Sequence, residues 1–248
     1  MKDLRKYLDS TYLKTASQAG ISEEENKKIV ESLISEALEG GFKLAMIRPN
    51  YVALGSELVE KVKGKLLIGT VIDFPEGNGG LELKLTEARQ AVSEGVDELD
   101  FVVDYNAFKK GQIEKVKEEV SVCTLEALEA GKVVKWIIEI AALTDKEIVQ
   151  LTALIKNVVL SRCKESDYSK VFVKSSTGFY KTEVGKPNGA TIEGLILMLE
   201  NAGPLPVKAA GGVRTRKDAL DMISLGVQRL GTSSAKELVR GEMGEEGY

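Results

Sequence analysis

The sequence contains no histidine and only two cysteines in 248 residues. Without histidine, the chain cannot form a His-ligated metal site, a Ser-His pair or a Cys-His nucleophile pair. Cys123 and Cys163 lie in helical patterns, which predicts buried, reduced thiols. Any chemistry must therefore come mainly from carboxylates, amines and hydroxyls.

Long apolar runs and a strong positive charge are also missing. No run approaches the ~18 apolar residues of a membrane span, and the N-terminus has no apolar signal-peptide region. The net charge of -4 gives no electrostatic support for nucleic-acid binding. We therefore expect a cytoplasmic protein with neither membrane nor nucleic acid among its partners. A length of 248 residues with 43% hydrophobic content fits one large α/β domain.

Strand-like and helix-like patterns alternate along the whole chain. Short runs that are apolar on both faces predict strands of a parallel sheet, and the segments between them predict covering helices. The predicted strands are 7–13, 44–47, 65–72, 98–103, 133–140, 170–174, 206–210 and 228–231. The predicted helices are 22–41, 56–63, 81–93, 113–130, 145–162, 191–201, 216–225 and 235–240.

Eight such units in one chain predict a single-domain (β/α)8 TIM barrel over residues 1–240. The alternative is an open, doubly wound sheet, which is weakened because no GxGxxG turn follows the first strand. Residues 241–248 are acidic and contain glycine, which predicts a mobile tail.

Two lysines end short apolar strands and precede small residues. Lys174 follows Val171-Phe172-Val173 and precedes Ser-Ser-Thr-Gly, and Lys208 precedes Ala-Ala-Gly-Gly. Burying an amine as a cation is costly, and two neighbouring amines lower each other's pKa by repulsion. The pattern indicates a neutral amine near pH 7 that forms a Schiff base with a carbonyl substrate.

The ends of the other strands supply further candidates, because strand ends face the active site of such a barrel. Asp100 and Lys135 lie within apolar strands and need charged partners, which the two lysines would provide. A buried ion-pair layer that only fills the barrel is the alternative. We favour a functional site because perturbed ionisable groups cluster at active sites. The remaining strand-end candidates are Asp9, Met46, Asp73, Asp104 and Glu139.

Small and hydroxylated residues follow each of the last three strands. Free backbone N–H groups and hydroxyls at such turns bind anions, and the last turn opens a predicted helix. Loops at this position often hold phosphate in (β/α)8 barrels, which predicts a phosphorylated substrate. The candidate phosphate-binding residues are Thr177, Gly178, Gly211, Gly212, Gly231, Ser233 and Ser234.

The chain resembles the deoxyribose-phosphate aldolase family of class I aldolases over nearly its whole length. The two lysine motifs, FVKSSTG at 172–178 and KAAGGVR at 208–214, carry the resemblance. Weaker matches are DST at 9–11, TVIDFP at 70–75, DELD at 97–100, KWIIE at 135–139 and GTSS at 231–234.

The resemblance implies a role for each polar candidate. Lys174 would be the Schiff-base lysine, and Lys208 would lower its pKa. Asp100 would be the acid/base group that works through a water, with Lys135 in its proton relay. The implied reaction joins acetaldehyde to D-glyceraldehyde 3-phosphate, reversibly giving 2-deoxy-D-ribose 5-phosphate, and needs no metal and no other cofactor.

Some positions depart from the family. Ser10 stands where many members have histidine, and Met46 stands where they commonly have cysteine; the loop 179–190 also differs. We expect Asp9 and Met46 to lie in the substrate pocket. The terminal Tyr248 is a candidate proton-transfer residue, reached by the tail folding over the barrel mouth, and the alternative is an idle terminus.

The sequence leaves two other functions open. One is a related Schiff-base aldolase or a transaldolase-like barrel that acts on another phosphosugar. The other is a non-catalytic phosphosugar-binding protein, although both lysines and Asp100 are present. The expected partners are small phosphosugars and aldehydes, and a homodimer is the candidate assembly.

Overall fold

The computed structural model describes residues 3–242, which form a closed barrel of eight parallel strands. Each strand pairs with the next along the chain, and β8 pairs with β1. This closure confirms the predicted (β/α)8 barrel and excludes the open sheet. The strands are β1 Leu8–Thr11, β2 Leu44–Ile47, β3 Leu67–Ile72, β4 Glu98–Val102, β5 Val133–Ile137, β6 Val171–Lys174, β7 Val207–Ala210 and β8 Arg229–Thr232.

Helices connect the strands and cover the outside of the barrel. They are α1 Ala16–Ala19, α2 Glu23–Gly40, α3 Val52–Lys61, α4 Leu81–Ser93, α5 Tyr105–Lys109, α6 Ile113–Glu129, α7 Asp145–Arg162, α8 Ile192–Ala202, α9 Arg216–Leu225 and α10 Ala235–Arg240. Short 3-10 turns cover Leu4–Tyr7, Pro49–Tyr51, Ile140–Ala142 and Glu165–Lys170. The C-terminal tail predicted at 241–248 lies outside the described residues from position 243 onward.

Local sequence signals explain where several helices begin and end. Ser22 caps α2 with Glu25 in a capping box, and Gly41 ends the helix in the left-handed conformation at φ 63°. The helices α1 and α5 were not predicted, because four or five residues are too few to show a helical period.

The alternation of side chains along each strand divides the protein into two cores. On β4, Leu99 and Phe101 face the covering helices, and Phe101 stacks on Trp136 of β5 at 5.0 Å between ring centroids. The Trp136 indole N–H donates to Thr124 of α6 at 2.9 Å. Asp100 alternates with these residues along the strand and therefore points into the barrel. Inside the barrel, the charged side chains and the apolar side chains form separate clusters.

Candidate active site

A network of seven buried ionisable side chains crosses the barrel interior. It contains three carboxylates and four bases, and none of the seven residues is more than 6% exposed. With every group charged, the network carries one positive charge in excess, whereas one neutral lysine would balance it. The members are Asp9, Glu98, Asp100, Lys135, Lys174, Lys208 and Arg229.

Asp100 is the centre of this network. Lys135 Nζ donates to its Oδ1 at 2.6 Å, and the Nζ atoms of Lys174 and Lys208 both donate to its Oδ2 at 2.9 Å. Burial tends to raise the pKa of Asp100, but the three ammonium groups outweigh burial and hold that pKa well below its usual range. Asp100 is therefore a carboxylate at neutral pH.

Lys174 is a buried amine with a lowered pKa. Burial is the main reason that its pKa falls to about 8; Asp100 opposes the shift, and Lys208 and Lys135 add to it. A minor fraction of the Lys174 side chains is therefore neutral near pH 7. The sequence predicted a lowered pKa from burial and from repulsion by Lys208, and in the structure burial is the larger of these two causes.

The register of the strands brings the two lysines together. Lys174 of β6 lies directly beside Lys208 of β7, and both contact the same oxygen of Asp100. Lys208 also lies 2.6 Å from Asp9 Oδ2, so it contacts two carboxylates and Lys174 contacts one. This difference leaves Lys174 as the amine with less charge compensation.

Two members of the network were not predicted as site residues. Arg229 Nε donates to Asp9 at 2.8 Å, and its Nη1 donates to Glu98 at 3.0 Å. Glu98 also contacts Lys135 Nζ at 2.6 Å, which joins this group to Asp100. Both are charged residues at inward positions of apolar strands, the same signal that identified Asp100.

The predicted small and hydroxylated residues do line one pocket, and Lys174 opens into it. Backbone elements approach closely here: a Cβ on Gly189 would lie 2.4 Å from the carbonyl carbon of Gly211. A Cβ on Gly231 would lie 3.2 Å from Lys208 Cε, so glycine leaves room for the amine. The predicted residues in this lining are Thr177, Gly178, Gly211, Gly212, Gly231, Ser233 and Ser234.

Other residues of this pocket escaped the prediction. Thr11, Asn188 and Arg214 line it as well. The cation of Arg214 in the KAAGGVR motif was an available signal, because a guanidinium beside glycine turns suits a phosphate. Nothing in the local pattern of the loop 179–190 indicates that Asn188 reaches the pocket, where its Nδ2 donates to the Gly178 carbonyl at 3.0 Å.

Two residues predicted in the substrate pocket lie elsewhere, which corrects that prediction. Asp9 is fully buried against Lys208 and Arg229, and it is Thr11, two residues further along β1, that lines the pocket. Met46 is fully buried in an apolar cluster with Leu44 and Val71 inside the barrel.

Two further strand-end candidates, Asp73 and Asp104, do not reach the lysine site. Asp73 has a left-handed backbone with φ 52°, and its Oδ2 accepts a hydrogen bond from Lys84 Nζ at 2.7 Å. Asp104 caps α5, and its Oδ2 accepts from Lys115 Nζ at 2.6 Å. Both carboxylates hold loops and helices outside the barrel.

Glu139 contacts the site through Thr177, which lines the pocket that contains Lys174. Its carboxylate accepts hydrogen bonds from the backbone N–H and the hydroxyl of Thr177. Burial raises the pKa of Glu139 to about 7, and the bonds from Thr177 and the charge of Lys174 oppose this shift. Glu139 is therefore a second group of this site that titrates near neutral pH.

The C-terminal residue and the possibility of a membrane span lie apart from these contacts. Tyr248 lies outside the described residues, so its position is not part of the site geometry. Between residues 3 and 242, no helix is long and apolar enough to cross a membrane.

The fold and the site together define a class of enzyme. A buried lysine with a lowered pKa lies at the carboxyl end of a barrel strand, beside a carboxylate and a pocket of glycine and hydroxyl groups. Aldolases that form a Schiff base require such an amine, because only the neutral form attacks a carbonyl.

The chain belongs to the DeoC/LacD family of aldolases, whose sequence model matches residues 9–242. It is 36% identical to the deoxyribose-phosphate aldolase of Thermococcus gammatolerans, over 98% of both chains. It is 35% identical to that of Streptococcus pneumoniae, over 99% of both chains. The structure resembles the tetrameric deoxyribose phosphate aldolase of Aeropyrum pernix with a TM-score of 0.76 and 30% identity, covering 96% of this chain and 89% of the other. The resemblance predicted from the sequence is confirmed.

Proposed function

We propose that the protein is a 2-deoxy-D-ribose-5-phosphate aldolase that uses Lys174 as its Schiff-base residue. The observation that carries this proposal is the environment of Lys174. Its amine is buried, has a pKa near 8, contacts Asp100 and opens into the pocket of glycine turns. The names of the curated relatives agree with this substrate.

In the cleavage direction, Lys174 Nζ attacks C1 of the open-chain sugar, and the resulting carbinolamine loses water to give a protonated imine. Loss of the C3 hydroxyl proton breaks the C2–C3 bond, and the electron pair moves into the imine to leave an enamine. D-Glyceraldehyde 3-phosphate departs. A proton then adds to C2, and water hydrolyses the imine to release acetaldehyde and free Lys174.

The neighbouring groups have proposed roles in these steps. Because its pKa is held low, Asp100 is suited to orienting Lys174 and a reacting water more than to storing a proton. Lys208 donates to the same oxygen of Asp100 as Lys174, so that Asp100 pairs less strongly with Lys174. Lys135 donates to the other oxygen of Asp100. Tyr248 remains a proposed proton carrier at C2.

The direct test is an assay of the purified protein with 2-deoxy-D-ribose 5-phosphate. We expect acetaldehyde and D-glyceraldehyde 3-phosphate in equal amounts, each measured with a coupled dehydrogenase. A transaldolase-like enzyme would instead transfer carbon from a ketose phosphate. A non-catalytic binding protein would bind the sugar phosphate, as shown by calorimetry, without releasing acetaldehyde.

The substitution Ser233→Asp tests the pocket as the phosphate site. Ser233 is exposed and lines the pocket, so a carboxylate there would repel the substrate phosphate. KM for 2-deoxy-D-ribose 5-phosphate should rise, and kinetics with unphosphorylated 2-deoxyribose should change much less. Ser233→Ala controls for loss of the hydroxyl. Equal losses on both sugars would contradict a phosphate site at Ser233.

The substitution Lys208→Leu tests how Lys174 is tuned. Lys208 lowers the pKa of Lys174, so its removal should raise that pKa and shift the acidic limb of the kcat/KM profile to higher pH. The control is Lys236→Leu, which removes a partly exposed cation paired with Glu36. An acidic limb at the wild-type position would show that Lys208 does not tune the amine.

The oligomeric state and the cellular location of the protein are also proposals. The homodimer expected from the sequence remains a proposal, and the relative from Aeropyrum pernix is described as a tetramer. A cytoplasmic location is proposed on the composition of the sequence alone.

A further inference from the structure

Glu139 has an unusual backbone conformation for a large side chain. It follows the end of β5 with φ 57° and ψ 69°, in the left-handed region that favours glycine. Its side chain is only 1% exposed. A strained, buried acid persists only where the surrounding structure holds it, and such residues concentrate at functional sites.

The contacts of Glu139 converge on one residue, Thr177. Oε2 of Glu139 accepts the Thr177 N–H at 3.1 Å and also accepts the Thr177 hydroxyl. The hydroxyl oxygen in turn accepts the N–H of Phe179 at 3.0 Å. Glu139 therefore fixes the direction of the threonine hydroxyl at the point where the chain leaves the strand of Lys174.

Thr177 lies between two open spaces at the barrel mouth. It lines the pocket that contains Lys174 and the glycine turns. It also lines a second cavity of about 320 Å³ whose other walls include Glu76, Tyr105, Glu139 and Tyr180. A shift of Thr177 would thus alter the wall of the substrate pocket three residues from the reacting amine.

We propose that Glu139 is a positioning residue for the aldol reaction, which in its ionised form holds the Thr177 hydroxyl and backbone against the Lys174 site. This inference rests on the proposed function and gives Glu139 a role that neither the relatives' names nor the family resemblance assigns. Glu139 acts through Thr177 and does not itself touch the reacting atoms.

The charges around Glu139 make this role dependent on pH. Lys174 favours the ionised form, whereas Glu76 opposes it, and the buried phenol of Tyr105 faces the same carboxylate. Oε1 has no hydrogen-bond partner among the described residues. With a pKa of about 7, Glu139 gains a proton as the pH falls below neutral and then no longer requires the hydroxyl of Thr177 as a donor.

Two groups should therefore shape the acidic limb of the wild-type kcat/KM profile: Lys174, which must lose a proton, and Glu139, which must be ionised. Glu139→Gln should remove the ionisation of residue 139, so that the acidic limb of the variant reflects the ionisation of Lys174 alone. Because the negative charge of Glu139 favours protonated Lys174, the remaining limb should also move to lower pH. We expect kcat/KM at pH 8 to fall about tenfold to a hundredfold, since displacement of a site by about 1 Å has effects of this size.

Thr177 supplies the matched variants. Thr177→Val deletes the hydroxyl and should cause a loss similar to that of Glu139→Gln, and the double variant should lose little more because the two residues act as a unit. Thr177→Ser retains the hydroxyl and should keep activity within a few-fold of wild type. Should Glu139→Gln fail to fold, the comparison of Thr177→Val with Thr177→Ser decides, and equal rates in those two variants would overturn the proposal.

Trapping with borohydride separates this inference from the proposed function. If the function is right, acetaldehyde labels Lys174 in both wild type and Glu139→Gln, whatever the role of Glu139. A labelled variant with the wild-type pH profile, or with losses that add to those of Thr177→Val, would overturn the positioning role. An unlabelled wild-type protein would instead contradict the Schiff-base mechanism.

Discussion

Replacing Lys174 with arginine should reduce kcat for 2-deoxy-D-ribose 5-phosphate by several orders of magnitude. Arginine can still pair with Asp100, so the charge of the barrel interior is preserved. It does not lose its proton at working pH, however, and covalent catalysis is lost completely. Steady-state assays at high enzyme concentration would measure the residual rate.

The same substitution at an exposed lysine controls for the chemical change. Lys217→Arg lies on the outer helix α9, where Lys217 pairs with Asp221, and it should leave kcat unchanged. Circular dichroism should show that both variants are folded. A Lys174→Arg enzyme that keeps more than about a tenth of the wild-type rate, a cost of only ~1.4 kcal/mol, would refute the assignment of Lys174.

Asp100→Asn should be the most damaging change to stability within the ion network. It removes the carboxylate that contacts three buried lysines and keeps nearly the same side-chain volume. Breaking a buried charge pair by removing one partner costs about 3–5 kcal/mol. Urea unfolding at pH 7 would measure the loss, and activity should fall with it because Lys174 loses its anchor.

The contribution of Asp100 to the free energy of unfolding should depend on pH. The folded pKa of Asp100 lies below its unfolded value, so in wild type its stabilisation is present above about pH 4 and is lost as the pH falls through the folded pKa. In Asp100→Asn, the uncompensated lysines can instead release a proton, Lys174 first. Asp100 raises the pKa of Lys174, so in the variant this pKa falls below about 8. The variant should therefore regain part of its stability as the pH rises through this lower value toward the unfolded lysine pKa of about 10.4.

An exposed ion pair provides the comparison for Asp100. Asp221 pairs with Lys217 on α9 with about half of its side chain exposed. Asp221→Asn should change the free energy of unfolding by less than about 1 kcal/mol. Similar losses from Asp100→Asn and Asp221→Asn would show that the buried network does not depend on Asp100.

The sequence was sufficient to predict the barrel, because eight short apolar strands alternate with capped helices. It was also sufficient to predict that the two lysines and Asp100 lie together, since each is a charge inside an apolar strand that needs a partner. By the same reasoning Glu98 and Arg229 could have been predicted, because they occupy inward positions of β4 and β8.

The residues just beyond the strand ends were harder to place. Asp73 and Glu139 both follow strands and both have left-handed backbones, with φ of 52° and 57°. One turns out toward Lys84, and the other turns in toward Thr177. Neither φ nor the partner is encoded in local periodicity, so the side on which such a residue lies depends on tertiary contacts.

The size of the effect of burial on the pKa of Lys174 could not be predicted from the sequence pattern alone. The repulsion between two neighbouring lysines follows from the sequence, but the desolvation that dominates the pKa of Lys174 depends on the closed barrel around it. Asp9 was likewise expected in the pocket, but its carboxylate pairs with Lys208 and Arg229 in the buried network.

The central claim is that Lys174 forms a Schiff base with the two-carbon fragment of the sugar phosphate. The most direct measurement is reduction of the protein with borohydride in the presence of acetaldehyde, followed by digestion and mass spectrometry. The account predicts a single ethyl adduct on Lys174 and no label at that position in Lys174→Arg. An adduct on Lys208 with Lys174 unmodified, or no adduct on either lysine, would contradict it.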